Sequence, residues 1–417
     1  MPTLFFRKIM FLLFITSVSA QVENEVAPPY NIKTISFVQN NKNVVPIFPL
    51  GDGFQLQFDD LFGNEADYYY EIIHCDYNWI PTNIPKTDYL QGFDNQRIQD
   101  YSNSFNTLQM YSHYRLSIPN QLTQLRISGN YILKILSEDK EVVFSRKFIL
   151  YEDLVSVPIQ VKRARTVDNL EFKQNLEFTI KTNSINFQNP LKNVKVVLLQ
   201  NGKLNTAITN VAPQYTIGND LVYKYDTQTQ FWAGNEFLFF DNKDIRSASN
   251  NVARIDSNGT LYNSYLFTNN ARTNFPYSVT HDVNGDFAVR NLNANNNEIE
   301  SDYAWVYFSL SAPAFRLNKD IYITGMFNNY ALSPEYKMDY NSENNRYEKA
   351  VLIKQGFTNF QYTVADSKGI TDSENSIDGN FYQTENDYTV LVYYRENNDR
   401  YDHVIGKGTA NSLNIIN

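Results

Sequence analysis

Cysteine and long apolar runs are scarce in this sequence. Cys75 is the only cysteine among 417 residues, which excludes an intramolecular disulfide framework. The apolar run at residues 9–15 is far shorter than the about 20 residues that a membrane-spanning helix needs, and no other segment comes close. Hydrophobic cores must therefore hold the chain together, and its length allows two to four domains of roughly 100–150 residues each.

Positive charge is also in short supply. The chain has 36 Lys and Arg against 45 Asp and Glu, and its formal net charge is −9. Nucleic acids and anionic lipid surfaces are bound through clusters of Lys and Arg. The charge balance therefore argues against both, and we predict no nucleic-acid partner.

The first residues have the pattern of an export signal. Arg7 and Lys8 precede the apolar run, and Val18, Ser19 and Ala20 form a small-residue cleavage site. We predict a signal peptide over residues 1–20 and a mature chain of formal charge −11, because two positive charges are lost. The residue directly after the cleavage site is Gln21 and not a cysteine, so we expect no lipid anchor and no direct membrane anchor.

Aromatic residues and short alternating runs are abundant. The chain has 30 Tyr, 29 Phe and 3 Trp, which suit pleated sheet surfaces. Runs of period two, such as residues 54–58 and 176–180, are separated by turn pairs such as Asn201-Gly202. The pattern predicts an all-β chain of about three tandem immunoglobulin-like β-sandwiches. Residues 94–104 form the only stretch that we expect to be helical.

Two breaks in the strand pattern predict domain boundaries. A Pro-containing stretch ends the first set of strands near residue 155, and an Asn-rich acidic stretch precedes the strand around Trp305. We predict a first sandwich over 21–155, a middle one over 156–300, a C-terminal one over 301–396 and an irregular tail over 397–417.

No catalytic, metal or cofactor site is predicted. The four histidines are scattered, and His74 and Cys75 would point to opposite faces of a strand. Residues 282–286 resemble the start of a calcium loop, but the twelfth position holds Asn293 in place of Glu, so a hairpin turn is the better interpretation. An enzyme would need a cleft that gathers His and carboxylates from separate domains.

One aromatic segment has two interpretations. Residues 68–70 are three tyrosines, and Tyr77 and Trp79 follow shortly after. The side chains could form an exposed platform for sugar or protein, or they could pack in the core.

A later segment resembles a known sugar-binding module. Residues 321–330 and 354–362 are similar to the immunoglobulin-like module of glycogen- and starch-binding domains. That resemblance implies a glycan-binding residue at Tyr330, where the family commonly has Trp. The alternative function for the chain is thus a periplasmic glycan-binding protein.

A linked set of motifs, in order along nearly all of the mature chain, resembles the type IX secretion system plug proteins of Bacteroidota. The motifs lie at residues 73–79 (IHCDYNW), 89–93 (YLQGF), 102–107 (SNSFNT), 111–114 (YSHY), 128–131 (SGNY), 200–201, 234–237, 282–285, 302–304 and 354–356.

This resemblance implies a periplasmic protein that binds the large outer-membrane β-barrel translocon and closes the periplasmic end of its pore. It implies a binding role without catalysis, with the chain monomeric within the complex. The residues that we expect to contact the barrel are Tyr77, Trp79, Tyr89, Tyr111 and Tyr114. The alternative is that these residues only stabilise the first sandwich.

Overall fold

The structure is a computed structural model that describes residues 22–182, 184–249, 251–257, 259–312 and 319–415. Strands carry almost all of the regular structure in these ranges, which confirms the all-β prediction. No described helix is long and apolar enough to cross a membrane. The predicted signal peptide, residues 1–20, lies outside the described residues.

The first part of the chain forms two facing five-stranded sheets. Their orders are β2-β1-β4-β9-β8 and β3-β12-β11-β5-β7, and β6 pairs with β10 in a separate ribbon. The elements are β1 (Ile32–Gln39), β2 (Lys42–Asn43), β3 (Ile47–Pro49), β4 (Phe54–Asp60), β5 (Tyr69–Cys75), α1 (Lys86–Tyr89), β6 (Leu90–Gly92), β7 (Gln96–Arg97), β8 (Asp100–Asn103), β9 (Ser112–Ile118), β10 (Thr123–Leu125), β11 (Gly129–Leu136) and β12 (Val142–Tyr151).

Alternation along the strands builds the first core. Phe54, Leu56 and Phe58 of β4 all point inward, as period two requires. Phe54 stacks on Phe48 with ring centroids 4.3 Å apart, and Phe58 stacks on Tyr114 at 5.0 Å. The aromatic residues of the sequence thus fill the space between the two sheets.

The predicted helix over residues 94–104 is wrong. Arg97 of β7 lies opposite Tyr69 of β5, and Tyr101 of β8 lies opposite Tyr114 of β9. Pairing with β5 and β9, which lie outside this segment, outweighs the local pattern here.

The next elements begin a second sandwich. They are β13 (Ile159–Arg163), β14 (Lys173–Ile180), α2 (Pro190–Asn193), β15 (Val194–Gln200), β16 (Ile208–Thr209), β17 (Tyr215–Ile217), β18 (Asp220–Tyr223) and β19 (Gln230–Trp232). One sheet has the order β13-β14-β18-β17, and β19 also pairs with β14.

A third set of strands surrounds its own core. The elements are β20 (Leu238–Asp241), β21 (Val252–Ser257), β22 (Tyr262–Leu266), β23 (Asn269–Asn270), β24 (Phe287–Val289), α3 (Asn297–Glu300), β25 (Tyr303–Ser311), β26 (Lys319–Thr324), a 3-10 turn (Met326–Asn328), β27 (Asp339–Asn341), β28 (Arg346–Lys354) and β29 (Gly356–Asp366). One sheet runs β21-β22-β25-β28-β27, and the other joins β20, β24 and β26 to β29.

The last two strands return to the second sandwich. β30 (Asp387–Tyr394) and β31 (His403–Asn411), which is followed by a 3-10 turn (Ser412–Asn414), complete a sheet of order β16-β15-β30-β31. The predicted irregular tail over 397–417 is therefore wrong. Gly406 and Gly408 conceal this strand in the sequence, because they lack the side chains of a typical strand. A Cβ at Gly408 would lie 2.3 Å from the Val157 carbonyl oxygen, so close packing explains the glycine.

The boundaries of the predicted sandwiches stay a prediction. From the sheet pairing we propose a revised division in place of the boundaries at 300 and 396. In it, the first module contains β1–β12, the second contains β13–β19 with β30 and β31, and the third contains β20–β29.

Candidate functional site

Four of the five tyrosine and tryptophan residues expected to contact a partner are interior residues. Tyr77, Tyr89, Tyr111 and Tyr114 are between 0% and 5% exposed. Each hydroxyl donates to a main-chain carbonyl oxygen, those of Val196, Ile72, Ser301 and Ala66 respectively. Their burial corrects the expectation that these four form an exposed surface, and the alternative of core packing describes them better.

Two of these tyrosines connect modules. The Tyr77 hydroxyl lies 2.9 Å from the Val196 oxygen of the second module, and its main-chain N–H donates to Asp402. The Tyr111 hydroxyl lies 2.8 Å from the Ser301 oxygen, just before β25 of the third module. The aromatic segments of the first module therefore fasten it to both neighbours.

The junction between the first and third modules contains a buried ion-pair cluster, which we call the Asp59 cluster: Asp59, His113, Tyr303 and Lys354. One Asp59 oxygen accepts from Lys354 Nζ and from the Tyr303 hydroxyl, both at 2.6 Å, and the other lies 2.6 Å from His113 Nδ1. Burial would raise the pKa of Asp59, but the Lys354 charge and the His113 hydrogen bond outweigh it and hold that pKa below its ordinary value.

Lys354 has three close partners in this cluster. Its ammonium donates to Asp59 and, at 2.6 Å, to the main-chain oxygen of Glu298, and it lies 4.1 Å from the centre of the Tyr111 ring. Beside it, Arg115 of the first module pairs with the Glu298 carboxylate at 2.6 Å. Because a buried charge is costly when it is unpaired, moving the two modules apart here would leave Asp59 and Lys354 without their partners.

The scattered histidines do not meet in a reactive cleft. The His74 ring lies 2.8 Å from the Thr82 hydroxyl, and burial lowers its pKa to about 4. Cys75 is buried, and burial raises the pKa of its thiol to about 12. Within the described ranges, no three His, Cys, Asp or Glu side chains are placed to hold a metal ion.

An exposed apolar surface, which the sequence analysis missed, lies on the first module. We call it the apolar rim: Phe62, Phe105, Leu108 and Met110, which are between 49% and 68% exposed. Phe62 lies in the loop after β4, and the other three residues lie in the loop between β8 and β9. These two loops are neighbours, because the Gln109 side chain donates to the Leu61 oxygen at 3.0 Å. The main-chain N–H groups of Leu108 and Gln109 donate to Asp302 of the third module. Large apolar residues among polar loop residues were the available signal.

Trp79 and Tyr330, which were predicted separately, line one cavity of about 500 Å³. The Lys147 ammonium lies 4.6 Å from the centre of the Trp79 ring, and the Lys203 ammonium lies 4.9 Å from that of Tyr330. A lysine thus covers one face of each ring. Glycan binding by Tyr330 stays a prediction, and this geometry leaves little free ring surface for stacking on a sugar.

Known proteins share both the sequence pattern and the fold. A family model described as "Type 9 secretion system plug protein 1st domain" matches residues 32–152. The crystal structure of a hypothetical protein from Parabacteroides merdae is similar to this chain, with 30% sequence identity and a TM-score of 0.88. The match covers 93% of this chain and 98% of that one. No curated protein matches.

The matched residues 32–152 extend over the first module, with its apolar rim and its half of the Asp59 cluster. Both the family motifs and this match lead to the same conclusion: the chain belongs to the type IX secretion system plug protein family.

Proposed function

We propose that this protein is a periplasmic plug, which binds the large outer-membrane β-barrel translocon of the type IX secretion system and closes the periplasmic end of its pore. Family membership links the chain to this secretion system and points to the cell envelope. The family and the all-β fold also point to a structural role. In this proposal the chain acts by binding, as a monomer within the complex.

The apolar rim is the observation that carries the proposal. It presents Phe62, Phe105, Leu108 and Met110 to solvent on the module that the family model matches. Aromatic residues and Met are enriched at protein interfaces, where a few buried side chains supply most of the binding free energy. The rim therefore offers the anchors that a reversible contact with a barrel needs.

Rigidity supports the same role. A plug must resist deformation under a moving substrate, and relative domain motion is the default unless the interface between domains is large and hydrophobic. Leu61 of the first module packs in one apolar cluster with Tyr303 and Leu352 of the third. Here the Asp59 cluster joins the first and third modules, and the loop of the rim itself hydrogen-bonds to Asp302. The contact surface is thus connected directly to the junction that fixes the modules.

An affinity pull-down tests the proposal. The tagged mature protein is mixed with detergent-solubilised outer membranes of its source organism, and bound proteins are identified by mass spectrometry. We expect one very large barrel protein to be recovered, and Phe62→Glu to reduce its recovery at least fivefold. Phe275→Glu is the matched control, because Phe275 is similarly exposed but lies on the third module.

The outcomes separate two claims. If the unmodified protein recovers no barrel, the plug proposal fails. If it recovers the barrel and Phe62→Glu recovers the same amount, the proposal stands and the rim is not the contact surface.

A further inference from the structure

Arg146 occupies a position that normally belongs to an apolar residue. On β12 it lies two residues from Phe144 and two from Phe148, and both phenylalanines are fully buried in the first core. Side chains two apart on a strand share a face, so Arg146 is on the core-facing side. It is only 9% exposed. Arginine is almost never buried this deeply unless it is paired.

The Arg146 guanidinium lacks such a partner. Its Nη1 donates to the main-chain oxygen of Ser145 at 2.9 Å, although a guanidinium has five N–H donors. Within the described ranges it forms no ion pair, and burial lowers its pKa. The carboxylate of Glu25, which is nearby, already accepts from the Lys147 N–H at 2.6 Å and from Asn329 at 2.7 Å.

The side chain lines the cavity of about 500 Å³ where the three modules meet, which we call the junction cavity. Lys147 and Lys203 line it too, and neither is within 4 Å of a carboxylate in the part of the chain that is described. The Lys203 ammonium donates to the Gln361 amide oxygen at 3.2 Å, and burial lowers its pKa to about 8. Three cationic residues and one acidic residue, Glu25, therefore line this cavity in a protein whose net charge is −9.

The rest of the cavity wall combines apolar side chains with polar ones, five asparagines among them. Val44, Val45 and Trp79 come from the first module, and Phe287 and Leu332 come from the third. Small-molecule sites typically measure about 300–1,000 Å³ and combine apolar walls with a few placed polar groups. The volume and the lining of the junction cavity fit that description.

We propose that the junction cavity binds a small organic anion, with a carboxylate or phosphate head on Arg146 and an apolar body against Val44, Trp79 and Leu332. The planar guanidinium matches either head group, because both accept two parallel hydrogen bonds. The ligand would contact all three modules at once. This site is independent of the plug role and of the apolar rim.

Titration calorimetry of the full mature chain tests the site. The probes are phenyl phosphate, 3-phenylpropionate and, as the neutral control, 3-phenylpropan-1-ol. We expect at least one anion to bind while the alcohol does not, and the stronger anion identifies the head group. Arg146→Gln should weaken binding about tenfold to hundredfold, since it removes a charged hydrogen-bond donor. Arg126→Gln, an exposed arginine of the same module, should leave it unchanged.

A second variant covers the case in which Arg146→Gln does not fold. Asn205 lines the cavity and is exposed, so Asn205→Asp adds a negative charge without burying it and should weaken binding severalfold. Asn293→Asp, at an exposed site away from the cavity lining, is its control. The proposal is overturned if neither anion binds the unmodified chain, or if binding is the same in the folded Arg146→Gln and Asn205→Asp variants.

Discussion

Two junctions between modules each contain a buried cation, and the two cations differ in how many partners surround them. In the Asp59 cluster, Lys354 has a carboxylate, a main-chain oxygen and an aromatic ring around one ammonium group. In the junction cavity, Arg146 has a single main-chain acceptor for five donors, and the centre of the Phe144 ring lies 5.6 Å from its Cζ. The contrast separates a structural cation, whose partners the fold supplies, from one whose partner must come from outside.

The largest expected change in the free energy of unfolding comes from a substitution in the Asp59 cluster. Lys354→Met leaves the Asp59 carboxylate buried without its main partner, and we expect a loss of about 3–5 kcal/mol in the free energy of unfolding. Urea denaturation measures it. Lys349→Met is the control on the same strand, where the lysine faces an exposed Asp339 at 3.6 Å, and should cost no more than about 0.5 kcal/mol. A loss below about 1 kcal/mol for Lys354→Met would contradict the account.

Replacing the buried cation of the junction cavity by Met should not destabilise the protein. Arg146→Met replaces an unpaired buried charge with an apolar chain of similar length, so the free energy of unfolding should be unchanged or rise by up to about 2 kcal/mol. The exposed Arg126→Met should shift it by no more than about 0.5 kcal/mol. If Arg146→Met loses more than about 1 kcal/mol, its guanidinium is structural and the comparison between the junctions fails.

A smaller effect should appear on acidification. The pKa of Asp59 is lower in the folded than in the unfolded chain, so its contribution to stability is present above the unfolded value of about 4 and is lost as pH falls through the folded value. We therefore expect the free energy of unfolding to drop more steeply below pH 4 in the unmodified chain than in Asp59→Asn. Urea denaturation at a series of pH values measures both slopes, and equal slopes would show that Asp59 is not held ionised by its partners.

The fold class was predictable because period two in the apolar pattern is a local property. Runs such as residues 54–58 and 176–180 became β4 and part of β14, since one face of each had to be buried. The last strand was not predictable, because Gly406 and Gly408 serve close contact with Val155 and Val157 rather than burial of their own side chains. The helix expected over 94–104 was wrong for a related reason, since β7 and β8 form by pairing with β5 and β9, which lie outside that segment.

The candidate sites were predictable only in part. Trp79 and Tyr330 were singled out separately, and only the folded chain brings them to one cavity. Lys354 and Asp59 are 295 positions apart, so no local pattern relates them. Arg146 could have been found, because a charge between Phe144 and Phe148 interrupts the apolar face of a period-two pattern.

If this protein closes a pore, its loss should make the outer membrane more permeable. Cells of the source organism that lack the protein are compared with unmodified cells for sensitivity to an antibiotic too large for ordinary porins. We expect cells that lack the protein to be more sensitive, and we expect the unmodified gene and the Phe275→Glu control, but not Phe62→Glu, to restore ordinary resistance. An unchanged barrier in cells that lack the protein would contradict the plug role.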